Sequence, residues 1–262
     1  SKQPIPKKEQ VLFLYLVGDN TVAKFTVKLP DYLDFSSGTW ECGLSEILFF
    51  KSWSNLGDEC FITLQQHSGP VTKVSILNGY YENMEELCNK INECLNQNLP
   101  TKSKDAVSCT FNKNTRVVHF LLDKENFSGG VFKFSPALEN ILGKMSNNNI
   151  TQTAEQVKIA LPDATLLQMY HMMVYSDIIQ PTVVGDIETN LLRSVAVSVG
   201  NHWEVQCTTY NKIQYLPLSR KSFNTITIHI YTDYGEVVPF NGGRAVVTLD
   251  FQKRKQSVYT PI

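Results

Sequence analysis

The stretch "NTITIHIYTDYGEVVPFNGGRAVVTLDFQKRK", residues 224–255, decides how this chain is read. Ile226, Ile228 and Ile230 alternate with polar residues, and Ala245, Val247, Leu249 and Phe251 do the same after a break. A period of two puts alternate side chains on one face of a strand, so each run predicts a strand with one buried side. Asp233-Tyr234-Gly235 has the composition of a turn. "VVPFNGGR" predicts an extended crossing, in which Pro239 cannot hold a central ladder position. The two runs are read together as an apolar hairpin whose residues serve architecture.

The same alternation recurs along the chain. Ala23, Phe25, Val27 and Leu29 form one run, and Trp40, Cys42 and Leu44 another, after which the apolar phase slips to Ile47 and Phe49. A one-residue slip turns every later side chain to the wrong face, so a β-bulge near Ser45-Glu46 is expected. Val107, Cys109 and Phe111 lead through "NKNT" to Val118, Phe120 and Leu122, which predicts a hairpin. Val195/Val197/Val199 and Trp203/Val205/Cys207 predict two further half-buried strands.

Two short helices interrupt this pattern. In "NMEELCNKINECL", Asn83 can cap the first turn with Glu86 three residues on, and Met84, Leu87, Cys88, Ile91 and Leu95 share one face. In "SPALENILGK", Ser135 caps, Pro136 sits where its missing N–H costs nothing, and Gly143 ends the helix. Many short strands with turn residues between them, and few helices, predict an all-β fold: a single jelly-roll β-sandwich with small helical insertions. No repeat or linker divides the chain; "MSNNNITQTAEQ", 145–156, is a surface loop. One domain over 1–262 is expected, with flexible ends near 1–10 and 253–262.

Lys and Arg total 24 against 25 Asp and Glu. Without a positive excess, nothing drives binding to a phosphate backbone, and no specific nucleic acid is expected. No apolar run reaches the ~20 residues a membrane span needs, and "SKQPIPKKEQ" lacks the features of a signal peptide. Cys42, Cys60, Cys88, Cys94, Cys109 and Cys207 are scattered with no CxxC pair, the pattern of reduced core thiols. Asn126-Phe-Ser and Asn149-Ile-Thr are expected to be ordinary polar loops.

Catalytic templates are missing. His67, His119, His171, His202 and His229 form neither HxH nor HExxH, and no GxSxG, GxxxxGK[ST] or strand-linked GxGxxG occurs. His229, between Ile228 and Ile230, is expected to face away from the core. Gly129-Gly130 and Gly242-Gly243 suit turns. Glu85-Glu86 complement a helix dipole, Arg193 can pair with Asp186 or Glu188, and "QKRKQ" at 252–256 is a solvated tail. Trp53, Tyr80 and Tyr81 are read as packing rather than as a base-stacking platform. No enzyme activity, cofactor or metal is expected.

Five blocks carry a family resemblance. They are "LPDYLDFSSGTWECGLSEILFFKSWSNL", "LNGYYENMEELCNKIN", "LENILG", "VYSDIIQPTVVGDIETNLLRSV" and "IQYLPLSRKSFNTITIHIYTDYGEVVPFNGGRAVVTLDFQ". In this order, spanning 29–252, the chain resembles the minor capsid, or penton, proteins of Polinton (Maverick) elements and adintoviruses. It departs from that family's pattern at Phe50-Lys51, where a Pro–His pair is usual, and at Asp250, close to a usual His.

The resemblance implies a non-enzymatic structural virion protein of transposon-derived or viral origin. It would form homopentamers at icosahedral vertices, beside the major capsid protein of the same element. Expected locations are the virion and, during assembly, the host nucleus or cytoplasm. A ring of five uses two different surfaces on each copy and closes at one angle only. Residues 175–193 and 237–244, both long and partly apolar connections, are expected at the contacts. The candidate interface residues are Asp177, Pro181, Gly185, Asp186, Arg193, Tyr215, Pro217, Phe240, Gly243 and Arg244. The alternatives are a jelly-roll major capsid-type subunit and a domesticated receptor- or glycan-binding β-sandwich.

Overall fold

A computed structural model describes residues 10–15, 21–65, 69–99, 106–127, 131–144, 150–152, 156–161, 164–166, 168–198 and 202–254. Both sequons in part, Gly129-Gly130, Val199, most of the 145–156 loop and nearly all of both expected flexible ends lie outside the described residues. The backbone divides into two compact units, Ser1–Trp53 with Met169–Ile262, and Ser54–Gln168.

The first unit begins with β1 (Gln10–Tyr15), β2 (Lys24–Asp34) and β3 (Trp40–Phe50). The second unit then takes the chain through β4 (Phe61–Gln65), β5 (Val71–Ser75), α1 (Met84–Asn98), β6 (Val107–Asn112), β7 (Val117–Asp123), α2 (Lys124–Phe127), β8 (Val131–Phe134), α3 (Pro136–Leu142), β9 (Ile150–Gln152) and β10 (Gln156–Leu161). The first unit resumes with β11 (His171–Ser176), β12 (Thr182–Val184), β13 (Ile187–Thr189), β14 (Leu191–Ala196), β15 (Val205–Thr209), β16 (Leu216–Pro217), β17 (Ser222–Thr232) and β18 (Ala245–Lys253).

The first unit holds two large sheets, β1-β18-β3-β15, with β16 also on β3, and β14-β11-β17-β2, besides the two-stranded β12-β13 sheet. Setting aside the short β12, β13 and β16, eight strands remain. They pair first with eighth, second with seventh, third with sixth and fourth with fifth, always antiparallel. That is one long hairpin rolled into two sheets, the jelly-roll topology. The fold is all-β, as the alternation predicts.

One sequence expectation is corrected. β17 and β18 do not form a hairpin: β17 lies between β11 and β2, and β18 between β1 and β3. Both sides of each strand are already paired, so residues 237–244 cross from one sheet to the other. The buried faces of the two strands, Ile226, Ile228 and Ile230 against Val247, Leu249 and Phe251, supply the sandwich core. Phe35 seals one end of it. Its ring stacks on Phe251 at 5.1 Å and on Phe223 at 5.6 Å, joining side chains from both sheets.

The expected bulge is present. Thr248 pairs with Glu46 and Leu249 with Leu44, so Ser45 is the extra residue. Its hydroxyl donates to the Thr248 carbonyl at 3.0 Å. Cys42 and Leu44 before it, and Ile47 and Phe49 after it, are all buried on the same side.

In the second unit the sheets are β5-β4-β8 and β6-β7-β10-β9. Asn83 Oδ1 accepts the Glu86 N–H at 2.9 Å, and Glu86 Oε2 accepts the Glu82 N–H at 2.7 Å. These bonds fix the start of α1. Ser135 Oγ accepts from Leu138 N, and Gly143 ends α3, as read from the sequence. Leu87, Ile91 and Leu95 of α1 share a core with Val118, Phe120 and Phe134. Trp53 and Tyr81 are buried in their respective units, in agreement with a packing role.

Candidate assembly interface

Strand β15 departs from its sequence pattern. Alternation predicted Val205 and Cys207 on a buried face, yet both are exposed, Val205 at 59%. The register with β3 gives the reason. Gln206 pairs with Phe49 and Thr208 with Ile47, whose side chains point into the core, so Val205 and Cys207 share the outer face with Phe50 and Leu48. Gln206 turns inward at little cost because its amide is bonded: Nε2 donates to Ala196 O at 2.9 Å, and Oε1 accepts the Ser198 N–H at 3.0 Å.

Trp203 extends the outer stripe. It is 51% exposed, its ring lies 6.1 Å from Phe50, and its φ of 66° is unusual for a large side chain. Among the described residues β15 is also an edge strand of its sheet, at the end opposite β1. An exposed apolar stripe on an edge strand is the feature proteins cover with a partner. Sequence reasoning missed it. The available signal was the adjacent pair Phe49-Phe50, since consecutive strand residues face opposite sides and one of the two rings must point outward.

The crossing 237–244 is fixed to the end of β3. Ser52 Oγ donates to Gly242 O at 2.9 Å and accepts the Asn241 N–H at 3.1 Å. Phe240 packs edge-on against Trp53 at 5.7 Å and Phe49 at 6.4 Å, so its ring holds the crossing down. Gly243 has φ 84°, and a Cβ there would stand 2.7 Å from that of Phe50. Arg244 is exposed.

Residues 175–193 follow the same division between anchors and exposed groups. Asp177 is an internal clamp: Oδ2 accepts from Arg220 Nη2 at 2.5 Å and Oδ1 from the Thr227 N–H at 2.8 Å. Pro181 is exposed and precedes the β12–β13 hairpin, whose two-residue loop is Gly185-Asp186. Gly185, with φ 64°, supplies the positive φ that a tight hairpin requires. Val183 and Ile187 on this hairpin are 72% and 59% exposed.

Arg193 does not pair with Asp186 or Glu188 among the described ion pairs. Its guanidinium lies 3.6 Å over the Tyr210 ring, and Nη1 donates to Lys212 O at 3.2 Å. Asp186 and Glu188 are exposed on the hairpin, while the nearby aromatic face offers the cation a better site. Tyr215 and Pro217 lie along β3: the Tyr215 hydroxyl donates to Asp250 Oδ1 at 3.2 Å, and Pro217 pairs with Glu41.

A groove of about 450 Å³ opens beside the hairpin, lined by Tyr175, Asp177, Ile187, Asn190, His229 and Tyr231 among others. His229 projects away from the core, as expected, with its ring 6.0 Å from that of Tyr231. Burial, then the Lys24 charge, lowers its pKa despite Asp177. Two polar groups here are engaged, Asp177 as described and Asn190 Nδ2 with Ile179 O at 2.5 Å, whereas the buried Ser176 Oγ has no hydrogen-bond partner among the described residues. Among the described residues, no group of three or more His, Cys, Asp or Glu is placed to hold a metal ion, and no helix is long and apolar enough to cross a membrane.

No family model and no curated protein matches the chain. Among solved structures it is similar to the crystal structure of the selenomethionine-labelled mavirus penton protein, at 12% identity and a TM-score of 0.47 over 94% of this chain and 100% of that one. It is also similar to a chain of the Sputnik virophage structure determined by cryo-EM at 3.5 Å, at 9% identity and a TM-score of 0.43, over 93% and 98%.

Proposed function

We propose that this chain is a structural virion protein: a minor capsid subunit, of the penton type, that forms homopentamers at the vertices of an icosahedral shell. One observation carries the reading. The rolled sandwich buries its own apolar faces, yet leaves Phe50, Trp203 and Val205 on the outer side of a sheet edge. The five sequence blocks in order, 29–252, add to it. In a closed ring each copy presents one surface forward and another backward. We assign the β15 edge to one of these and the β12–β13 hairpin, with Pro181, Gly185 and Asp186, to the other.

Arg244 belongs with the exposed contacts. Asp177, Arg193, Tyr215, Pro217, Phe240 and Gly243 hold the contacting segments in shape, and 1–262 acts as one capsid subunit. The remaining partner is the major capsid protein of the same element, and the working location is the virion. Light scattering on the purified protein tests the reading. The expected mass is that of five chains; a stable trimer, or a monomer up to the highest soluble concentration, overturns it.

A further inference from the structure

The second unit brings two cysteines together across a helix–strand contact that nothing in the capsid reading uses. Cys109 sits on β6, the edge strand of its sheet, and turns its backbone N–H and C=O to the unpaired side. Asn92 of α1 meets both groups: Nδ2 donates to Cys109 O at 2.8 Å, and Oδ1 accepts the Cys109 N–H at 2.7 Å. This two-point clamp fixes α1 over Cys109. Cys88 lies one helical turn before Asn92, on the same face of α1. It lies in the same core cluster as Cys109, and both residues are buried at 2% exposure.

We propose that Cys88 and Cys109 form a latent disulfide site, which closes by exchange with a small-molecule disulfide such as oxidised glutathione and locks α1 onto β6. The balance is simple. One cysteine thiolate attacks a glutathione sulfur, releasing one glutathione thiolate and leaving a mixed disulfide. The other thiolate then displaces the second glutathione. The protein loses two hydrogens and two electrons, and two reduced glutathiones carry them away.

Neither backbone need travel far, because the Asn92 clamp already holds α1 on Cys109 one helical turn from Cys88, and the bond itself is ~2.05 Å. Burial raises the Cys109 thiol, and the contact with Cys88 raises it further. Exchange in the folded protein is therefore slow and waits on local opening of α1. The other cysteines of this core, Cys60 and Cys94, lack such a clamp among the described contacts. The site is independent of the capsid assignment.

The test incubates the full chain with oxidised glutathione, both folded and during refolding from urea, so that access does not limit the outcome. Free thiols are then alkylated in denaturant and the peptides mapped without reduction. The expected result is one Cys88–Cys109 linked peptide, loss of alkylation at these two positions alone, and a higher urea midpoint that reducing agent reverses. Cys94→Ser should keep the link, and Cys88→Ser and Cys109→Ser should each abolish it. Alkylation of both residues after refolding, glutathione adducts only, or a link to Cys60 or Cys94 would overturn the proposal.

Discussion

Gln206 of β15 donates to the carbonyl of Ala196 in β14 at 2.9 Å, tying an edge strand of one sheet to an edge strand of the other. The same amide accepts from Ser198, whose hydroxyl also accepts from Lys51 Nζ at 3.2 Å. Truncation to alanine removes this seam and leaves the Ala196 carbonyl and the Ser198 N–H, both on exposed residues, to find other partners. Gln206→Ala should cost ~1–2 kcal/mol in urea unfolding, whereas Val205→Ser next to it should cost under ~0.5 kcal/mol. Equal costs at the two positions would show that the seam is not a stabilising feature.

Gly243 and Gly185 separate strain from collision. Both have positive φ, so alanine at either is disfavoured by ~1–2 kcal/mol. At Gly185 an added Cβ meets nothing within 4 Å, but at Gly243 it meets the Phe50 side chain at 2.7 Å. Gly243→Ala should therefore lower the melting temperature clearly more than Gly185→Ala. The opposite order would mean that the crossing yields where Phe50 does not.

The Asn83 cap can be tested alone, because its partner is one backbone N–H. Asn83→Ala should destabilise the protein by ~1 kcal/mol, and Asn83→Asp or Asn83→Ser should recover most of it. Chemical denaturation of the three variants reads this directly. No recovery by serine or aspartate would assign the loss to something other than the cap.

How much was legible follows from which signals are local. The Ser45 bulge was readable because two apolar phases meet within one strand, and the caps at Asn83 and Ser135 because capping depends on spacings of three residues. Which strands become neighbours depends on long-range pairing. Ile226 and Leu249 therefore looked like two arms of one hairpin, though they belong to opposite sheets. β15 failed for a related reason: Gln206 is polar by type but finds its partners across the sandwich, and no local pattern reports that. Arg193 was assigned to carboxylates nearby in sequence, whereas Tyr210 arrives from a different strand connection.

Three histidines give the fold a pH dependence of one sign. Burial lowers the pKa of His119, His202 and His229, helped by Lys158, Lys51 and Lys24 respectively. The unfolded chain then binds protons at these sites more readily than the folded one. Their contribution is fully present above the unfolded value of ~6.5 and is lost as pH falls below it toward the folded pKa. Thermal midpoints of the wild type should drop between pH 7.5 and 5.5, and a His119→Gln, His202→Gln, His229→Gln variant should drop less. A parallel decline in both proteins would assign the effect to other groups.

The outer stripe makes the most direct prediction about assembly. Trp203 and Val205 contribute little to their own core, being 51% and 59% exposed. Replacing them by polar residues should leave the folded subunit within ~0.5 kcal/mol of wild type. At a ring interface the same side chains would be fully covered, and a central tryptophan commonly accounts for ~2 kcal/mol or more of binding. That corresponds to a weakening of ~30-fold or more per contact. Trp203→Ser with Val205→Ser should thus yield a folded subunit that stays monomeric where wild type is pentameric, with unchanged urea unfolding measured under monomeric conditions. The positive φ of Trp203 adds an internal control, since Trp203→Gly relieves that backbone while removing the ring. If Trp203→Gly still assembles like wild type, the ring closes through some other surface.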